Sequence, residues 1–200
     1  VESSNILFYL DEAFPTPPMM PADLHGRARV RLYNKLIDEY VHNSCTILSF
    51  AKAFRPALAR LSREQLEADL AKSPSKQRSE YKRDVTASGL DSKYVVDALK
   101  HHDKMLTWME DDLGSRAFLA GPAFSLADAA VAPYILRLEL VRLARMWDKR
   151  PGVAAWWARI RQRPSVQTAI IKRMTEADQA PFKNFDLDPW PTASRILAAA

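Results

Sequence analysis

The sequence predicts an all-α protein, and three observations predict it. Helix-forming Ala, Leu, Arg, Lys, Glu and Gln dominate a chain of 200 residues that contains only 5 Gly. The 13 Pro cluster between helical segments rather than within them, where the missing backbone N–H does least damage. No run of alternating β-branched residues is bounded by Gly or Asn-Gly turns, so strand signals are nearly absent.

The elements follow in order. Residues 2–13 form a short helix that Ser3 or Ser4 can cap, ended by Phe14-Pro15. The stretch "FPTPPMMPAD" reads as an extended linker. A long helix begins near Ala22 and Asp23. Its apolar face, from Val30 through Tyr33, Ile37, Tyr40, Val41, Ser44 and Leu48 to Ala51, keeps spacings of three and four. Pro56 is expected to interrupt or kink it. Residues 62–89 are charged and weakly amphipathic, which reads as exposed, partly mobile helical segments, with Ser62 and Gln65 as a capping box. A strongly periodic helix starts near Asp91 or Ser92, carries Val95, Leu99, His102, Leu106 and Met109, and stops at Gly114.

Next comes "FLAGPAFSLADAAVAPYILRLE". Ser125 precedes Asp128 by three residues at the head of an Ala-rich apolar run, the pattern of a capping box. The small Ala127, Ala129, Ala130 and Ala132 let neighbouring helices approach closely, so this helix is expected at the centre, bent by Pro133. Asp128 is expected to satisfy backbone N–H groups there, a structural role. Two shorter helices start at Pro151 and Pro164. From Thr175 onward the tail reads as irregular, anchored by Phe182, Phe185 and Trp190.

Charge and cysteine content bound the function. The net charge of +5 is spread over Arg and Lys mixed with Asp and Glu. No stripe or motif of a nucleic-acid binder appears, and small anionic ligands suit this balance better. The single cysteine, Cys45, excludes an intramolecular disulfide and fits a reducing, cytoplasmic setting. No apolar run reaches the roughly 18 residues of a membrane span. Cys45 has no His at catalytic spacing and reads as an inert buried thiol. His101 and His102 are adjacent, so on a helix they point apart, and no second pair completes a metal site.

Three stretches together resemble the glutathione S-transferases. "VESSNILFYLDEAFP" is similar to the family's Glu/Gln-Ser motif, the last helix of its thioredoxin-like domain and the start of the interdomain linker. "FLAGPAFSLADAAVAPYI" is similar to the capped central helix of its α-helical domain. "RPGVAAWWARIRQRPSVQTAI" is similar to the elements that close that domain. The resemblance implies a remnant of the thioredoxin-like domain over residues 1–14, a linker over 15–21, the all-α domain over 22–175 and a tail over 176–200. It also implies that the segment bearing the thiol-activating residue lies ahead of Val1, so no catalytic residue is expected in this chain.

The resemblance implies the ligands as well. Glutathione is the expected co-substrate. Ser3, with the free N–H groups of the first turn, would receive its γ-glutamyl carboxylate, and Glu2 would face its ammonium group. The long helix would line a pocket for a hydrophobic electrophile, with Tyr33, Asn34, Ile37, Asp38, Tyr40 and Val41 as candidates. For each apolar one, ordinary core packing is the competing reading. Asn34 and Asp38 would reach glutathione, including across the interface of an expected homodimer. The leading expectation is thiol transfer to an aromatic or hydrophobic electrophile, with β-aryl ether cleavage or dehalogenation as specialisations. The alternative is a non-catalytic interaction module built on the same helical domain.

Overall fold

The computed structural model describes residues 2–183 and 187–199. Among these residues the regular structure is helical, and the one β-type pairing is an isolated bridge between Phe118 and Gly121. Helix α1 spans Ser3–Ala13. Its N-cap is Glu2, with extended backbone, and no side chain caps it. Ser3 and Ser4 therefore lie inside the first turn and are not the caps that the sequence suggests.

The linker is tied down at both ends. The Asp11 carboxylate accepts the N–H of Met19 at 2.6 Å and of Met20 at 3.2 Å. The Met19 carbonyl in turn accepts the N–H of Leu126 at 3.1 Å. Gly26 allows the next helix to come close: a Cβ there would lie 2.6 Å from Pro21 Cβ and 2.9 Å from the Ala120 carbonyl oxygen.

The long helix, α2, covers residues 24–58. It consists of α-helical segments Leu24–Leu36, His42–Ser49 and Arg55–Leu58, joined by π-turns at Ile37–Val41 and Phe50–Phe54. Asp23 caps it by accepting the Gly26 N–H at 2.7 Å. Pro56 does not end it. That residue falls in the first turn after the second π-turn, where its missing N–H is not needed. The first π-turn also moves Tyr40 off the apolar face. A wider turn rotates each residue by less than the α-helical angle, and Tyr40 is left 42% exposed.

Helices α3 (Arg63–Leu70) and α4 (Lys76–Ser88) form an outer flank. Ser62 and Gln65 make the expected capping box on α3. At the end of α4, Gly89 takes φ of +59°, and Arg55 donates to the carbonyls of Thr86 and Ala87 at 3.0 Å each. Helix α5 (Lys93–Leu113), capped by Ser92, buries its periodic face against α2 and α7 (Pro151–Gln162).

Helix α6 (Leu126–Leu140) is the central element. It packs against α1, α2 and α7, and buries Leu126, Ala127, Val131, Ala132, Ile135 and Leu138. The Ser125–Asp128 box is formed. Asp128 is fully buried and does more than cap. Its carboxylate accepts from Ser125 N–H (2.9 Å), Ser125 Oγ–H (2.8 Å), Leu119 N–H (3.1 Å) and Trp156 Nε1–H (2.8 Å). One side chain thus joins the 118–124 loop, α6 and α7.

After α8 (Pro164–Ala169) the tail is helical rather than irregular. It forms α9 (Glu176–Lys183) and α10 (Trp190–Ala198), and α10 packs on α5. Pro189 and Pro191 sit next to or in the first turn of α10, where they favour a helix start, whereas Pro181 lies inside α9. Phe182 is an anchor, and its ring meets that of Phe54 edge-on at 5.7 Å. Trp190 lies under the Arg145 guanidinium at 5.0 Å. Phe185 lies outside the described residues.

Candidate functional site

The residues singled out on α2 separate into three environments. Tyr33, Ile37 and Val41 are buried in the core. Their burial has a simple cause: the face that repeats every three to four residues is the face α2 buries against α5 and α6. Tyr33 donates to Asp112 at 2.8 Å, and Arg29 and Arg116 pair with the same carboxylate. Burial, followed by the Asp112 charge, raises the Tyr33 phenol far above its usual range, so it stays a neutral donor. Tyr40 lies outside, stacked at a tilt on His101 with ring centroids 5.1 Å apart and under Lys104.

Asn34 and Asp38 face a cleft shared with α1. Together with Ser4, Phe8 and Arg31 they line an open cleft of about 290 Å³ between α1 and α2. Asn34 is held in place by donating to the Val30 carbonyl at 2.9 Å, whereas Asp38 is exposed. Glu2 and Ser3 are exposed at the head of α1. The first turn there carries no side-chain cap, so its N–H groups face outward.

A further cavity, of about 330 Å³, opens between α2, α4 and α6. Past the first π-turn, α2 presents His42, Cys45 and Ser49 to it, then Phe50 and Phe54. Helix α6 gives Pro133, Tyr134 and Arg137, and α4 gives Arg78. Phe182 of α9 backs Phe54 and lies under the Arg137 guanidinium at 4.8 Å.

The polar groups of this cavity are mutually oriented. Arg137 Nη1 donates to Ser49 Oγ at 3.1 Å, and Ser49 Oγ–H donates to the Cys45 carbonyl at 2.7 Å. Tyr134 Oη and His42 Nδ1 are hydrogen-bonded at 3.1 Å. Burial pushes the Cys45 thiol up to about 11, against the opposing pull of Arg137. It is a neutral thiol at neutral pH and a poor nucleophile. Burial likewise raises the Tyr134 phenol, helped by Cys45 and Asp38. The cavity therefore offers aromatic walls, neutral hydroxyl donors and two guanidiniums, which is binding chemistry.

Sequence reasoning misses Phe54, Arg78, Tyr134 and Arg137. The available signal is the polar pair Tyr134 and Arg137, three apart on a helix that otherwise reads as buried. Arg78 reaches the cavity only through tertiary packing. Among the described residues no group of three or more His, Cys, Asp or Glu is placed to hold a metal ion, and no helix is long and apolar enough to cross a membrane.

With this architecture in place, comparison with known proteins fixes the class. The family model "Glutathione S-transferase, C-terminal domain" matches residues 65–164, half of the chain. The chain belongs to the glutathione S-transferase family. It is similar to LigF of Sphingobium sp. (strain NBRC 103272 / SYK-6), with 24% identity over 183 residues, 88% of this chain and 70% of LigF. The crystal structure of LigF, described as a beta-etherase, superposes with a TM-score of 0.73 at 24% identity over 86% of this chain and 73% of that one. Glutathione S-transferase 1 of Zea mays is 38% identical over 84 residues, 41% of this chain and 39% of its own length. Glutathione S-transferase GstB of Escherichia coli (strain K12) is 28% identical over 78 residues, 38% of this chain and 36% of its own. The matches to the plant and Escherichia coli transferases thus span well under half of those proteins.

Proposed function

We propose that the full protein carrying this chain is a glutathione S-transferase that joins the glutathione thiolate to an aromatic or hydrophobic electrophile. The observation that carries this reading is the aromatic-walled cavity between α2 and α6, in a chain of this family. Its volume of about 330 Å³ lies in the range of small-molecule sites. Phe50, Phe54 and Tyr134 would receive the ring of the electrophile, and the Tyr134 hydroxyl would orient it. The open first turn of α1 would take the γ-glutamyl carboxylate through Ser3 and its neighbouring N–H groups, with Glu2 facing the ammonium. Asn34 and Asp38, in the adjoining cleft, would contact glutathione from α2.

Cys45 and Tyr134 stay neutral in this cavity, and the resemblance assigns thiol activation to the thioredoxin-like segment that the family places ahead of α1. On that reading the 200-residue chain alone is inactive, and the full protein works as a cytoplasmic homodimer in detoxification or catabolism. The similarity to LigF favours β-aryl ether cleavage as the specialisation over dehalogenation.

The test is direct. Full-length protein is incubated with glutathione and, separately, 1-chloro-2,4-dinitrobenzene and a β-aryl ether, and the thioether product is measured. Glutathione-dependent product from either substrate is expected. Absence of product together with failure to bind a glutathione resin would refute the transferase reading in favour of a non-catalytic interaction module.

A further inference from the structure

We propose that the electrophile taken by the α2–α6 cavity carries a carboxylate, or an equivalent planar anion, on its aromatic ring, held by Arg78 and Arg137. The inference rests on reading that cavity as the electrophile site. Its basis is an imbalance of charge. Two guanidiniums and the His42 imidazole line the cavity, and no carboxylate does among the described residues.

Elsewhere several partly buried arginines pair with a carboxylate. Arg29 and Arg116 share Asp112, Arg150 pairs with Asp103 at 2.8 Å, and Arg161 pairs with Glu139 at 3.0 Å. Arg163 instead packs on the Phe124 ring at 3.9 Å. The two cavity arginines have no acidic partner among the described residues, and both line one cavity. Arg137 donates to a neutral hydroxyl, that of Ser49, and packs its face on Phe182. The buried Nε of Arg78 meets no hydrogen-bond partner among the described residues. A cation removed from water without an opposing charge is unfavourable, and a bound anion relieves this. Guanidinium forks match planar carboxylates in geometry.

The walls decide what the anion is attached to. Phe50 and Phe54 meet edge-on, centroids 5.1 Å apart, and Tyr134 closes the α6 side. An apolar cavity of about 150 Å³ holds one benzene. The roughly twofold larger volume here accommodates a single ring with a carboxylate and a second substituent. Cys45 and Tyr134, both neutral at physiological pH, add no negative charge to repel it.

Glutathione also carries carboxylates, so the test separates the two sources. The probes are 4-chloro-3-nitrobenzoate and its neutral isostere 4-chloro-3-nitrobenzamide. With either, the glutathione thiolate forms a C–S bond at the chlorine-bearing carbon, and chloride leaves with the bonding pair. Calorimetric titration of full-length protein with each probe, without glutathione, is expected to show the benzoate binding at least about tenfold tighter. The preference should vanish in the Arg78→Gln, Arg137→Gln double variant, with glutathione affinity unchanged within about twofold. Equal binding of the two probes by the unmodified protein would overturn the proposal without reliance on any variant. A loss of glutathione affinity in the folded double variant matching its loss of benzoate affinity would also overturn it, because the guanidiniums would then serve the co-substrate. A benzoate preference in the unmodified protein, without product from either probe and without binding to a glutathione resin, would support the anion site and refute the transferase reading.

Discussion

Replacing Asp128 with Ala should be among the most damaging single changes this chain can undergo. The fully buried carboxylate accepts four hydrogen bonds from Ser125, Leu119 and Trp156. In Asp128→Ala three N–H donors, those of Leu119, Ser125 and Trp156, would lose their partner away from water. Each buried orphan costs about 1–3 kcal/mol. Partial relaxation and non-additivity bring the expected total to about 4 kcal/mol, a large share of the ~5–15 kcal/mol that holds a domain folded. Asp128→Asn keeps the volume and one acceptor but turns an NH2 group toward donors, for an expected loss of about 2–3 kcal/mol. Ser125→Ala removes the cap hydroxyl alone, for about 1 kcal/mol. Urea unfolding followed by circular dichroism would rank the three. A loss below ~1 kcal/mol in Asp128→Ala, within the range of an ordinary cap, would refute the argument that this side chain joins loop, α6 and α7.

Two further outcomes are expected. Burial holds the His102 imidazole down at about 4, below its ordinary 6.5. The unfolded chain therefore takes up a proton that the native protein refuses as the pH falls from 6.5 toward 4. Stability should drop over that window, by about 2 kcal/mol between pH 7 and pH 5. His102→Leu should flatten this part of the profile, and an unchanged slope in urea midpoints would count against the assignment. In Gly26→Ala, the new Cβ would meet Pro21 Cβ at 2.6 Å and the Ala120 carbonyl at 2.9 Å. Overpacking should outweigh the gain in helix propensity, for a net loss of about 1–2 kcal/mol. A raised melting temperature would show that the linker yields instead.

The parts of the fold legible in the sequence are those written in local chemistry. Ser62–Gln65, Ser92 and Ser125–Asp128 announce their helix starts, and the buried face of α5 repeats without interruption. The tail misleads because proline cues are ambiguous: the same residue that forbids a helix interior favours a first turn. The site is harder to read. Periodicity on α2 identifies the face with the most apolar residues, and in a central helix that is the core, which is where Tyr33, Ile37 and Val41 lie. The cavity instead uses Cys45, Ser49 and Phe54, together with residues of α4 and α6 that no spacing rule brings to α2. Neither π-turn has a local composition that marks it.

Those π-turns give α2 a property that no side chain confers. Each adds roughly one residue to a turn without adding a turn. In a regular α-helix an added residue rotates everything beyond it by about 100°. A π-turn absorbs that residue locally, so the helix beyond keeps its phase. Removal of a single residue within 37–41 would return the turn to α geometry and leave His42, Cys45 and Ser49 facing α6. The same deletion in the regular helix at 42–49 would turn every residue beyond it by about a quarter-turn from the cavity. The π-turns are thus the places where α2 tolerates a one-residue change in length.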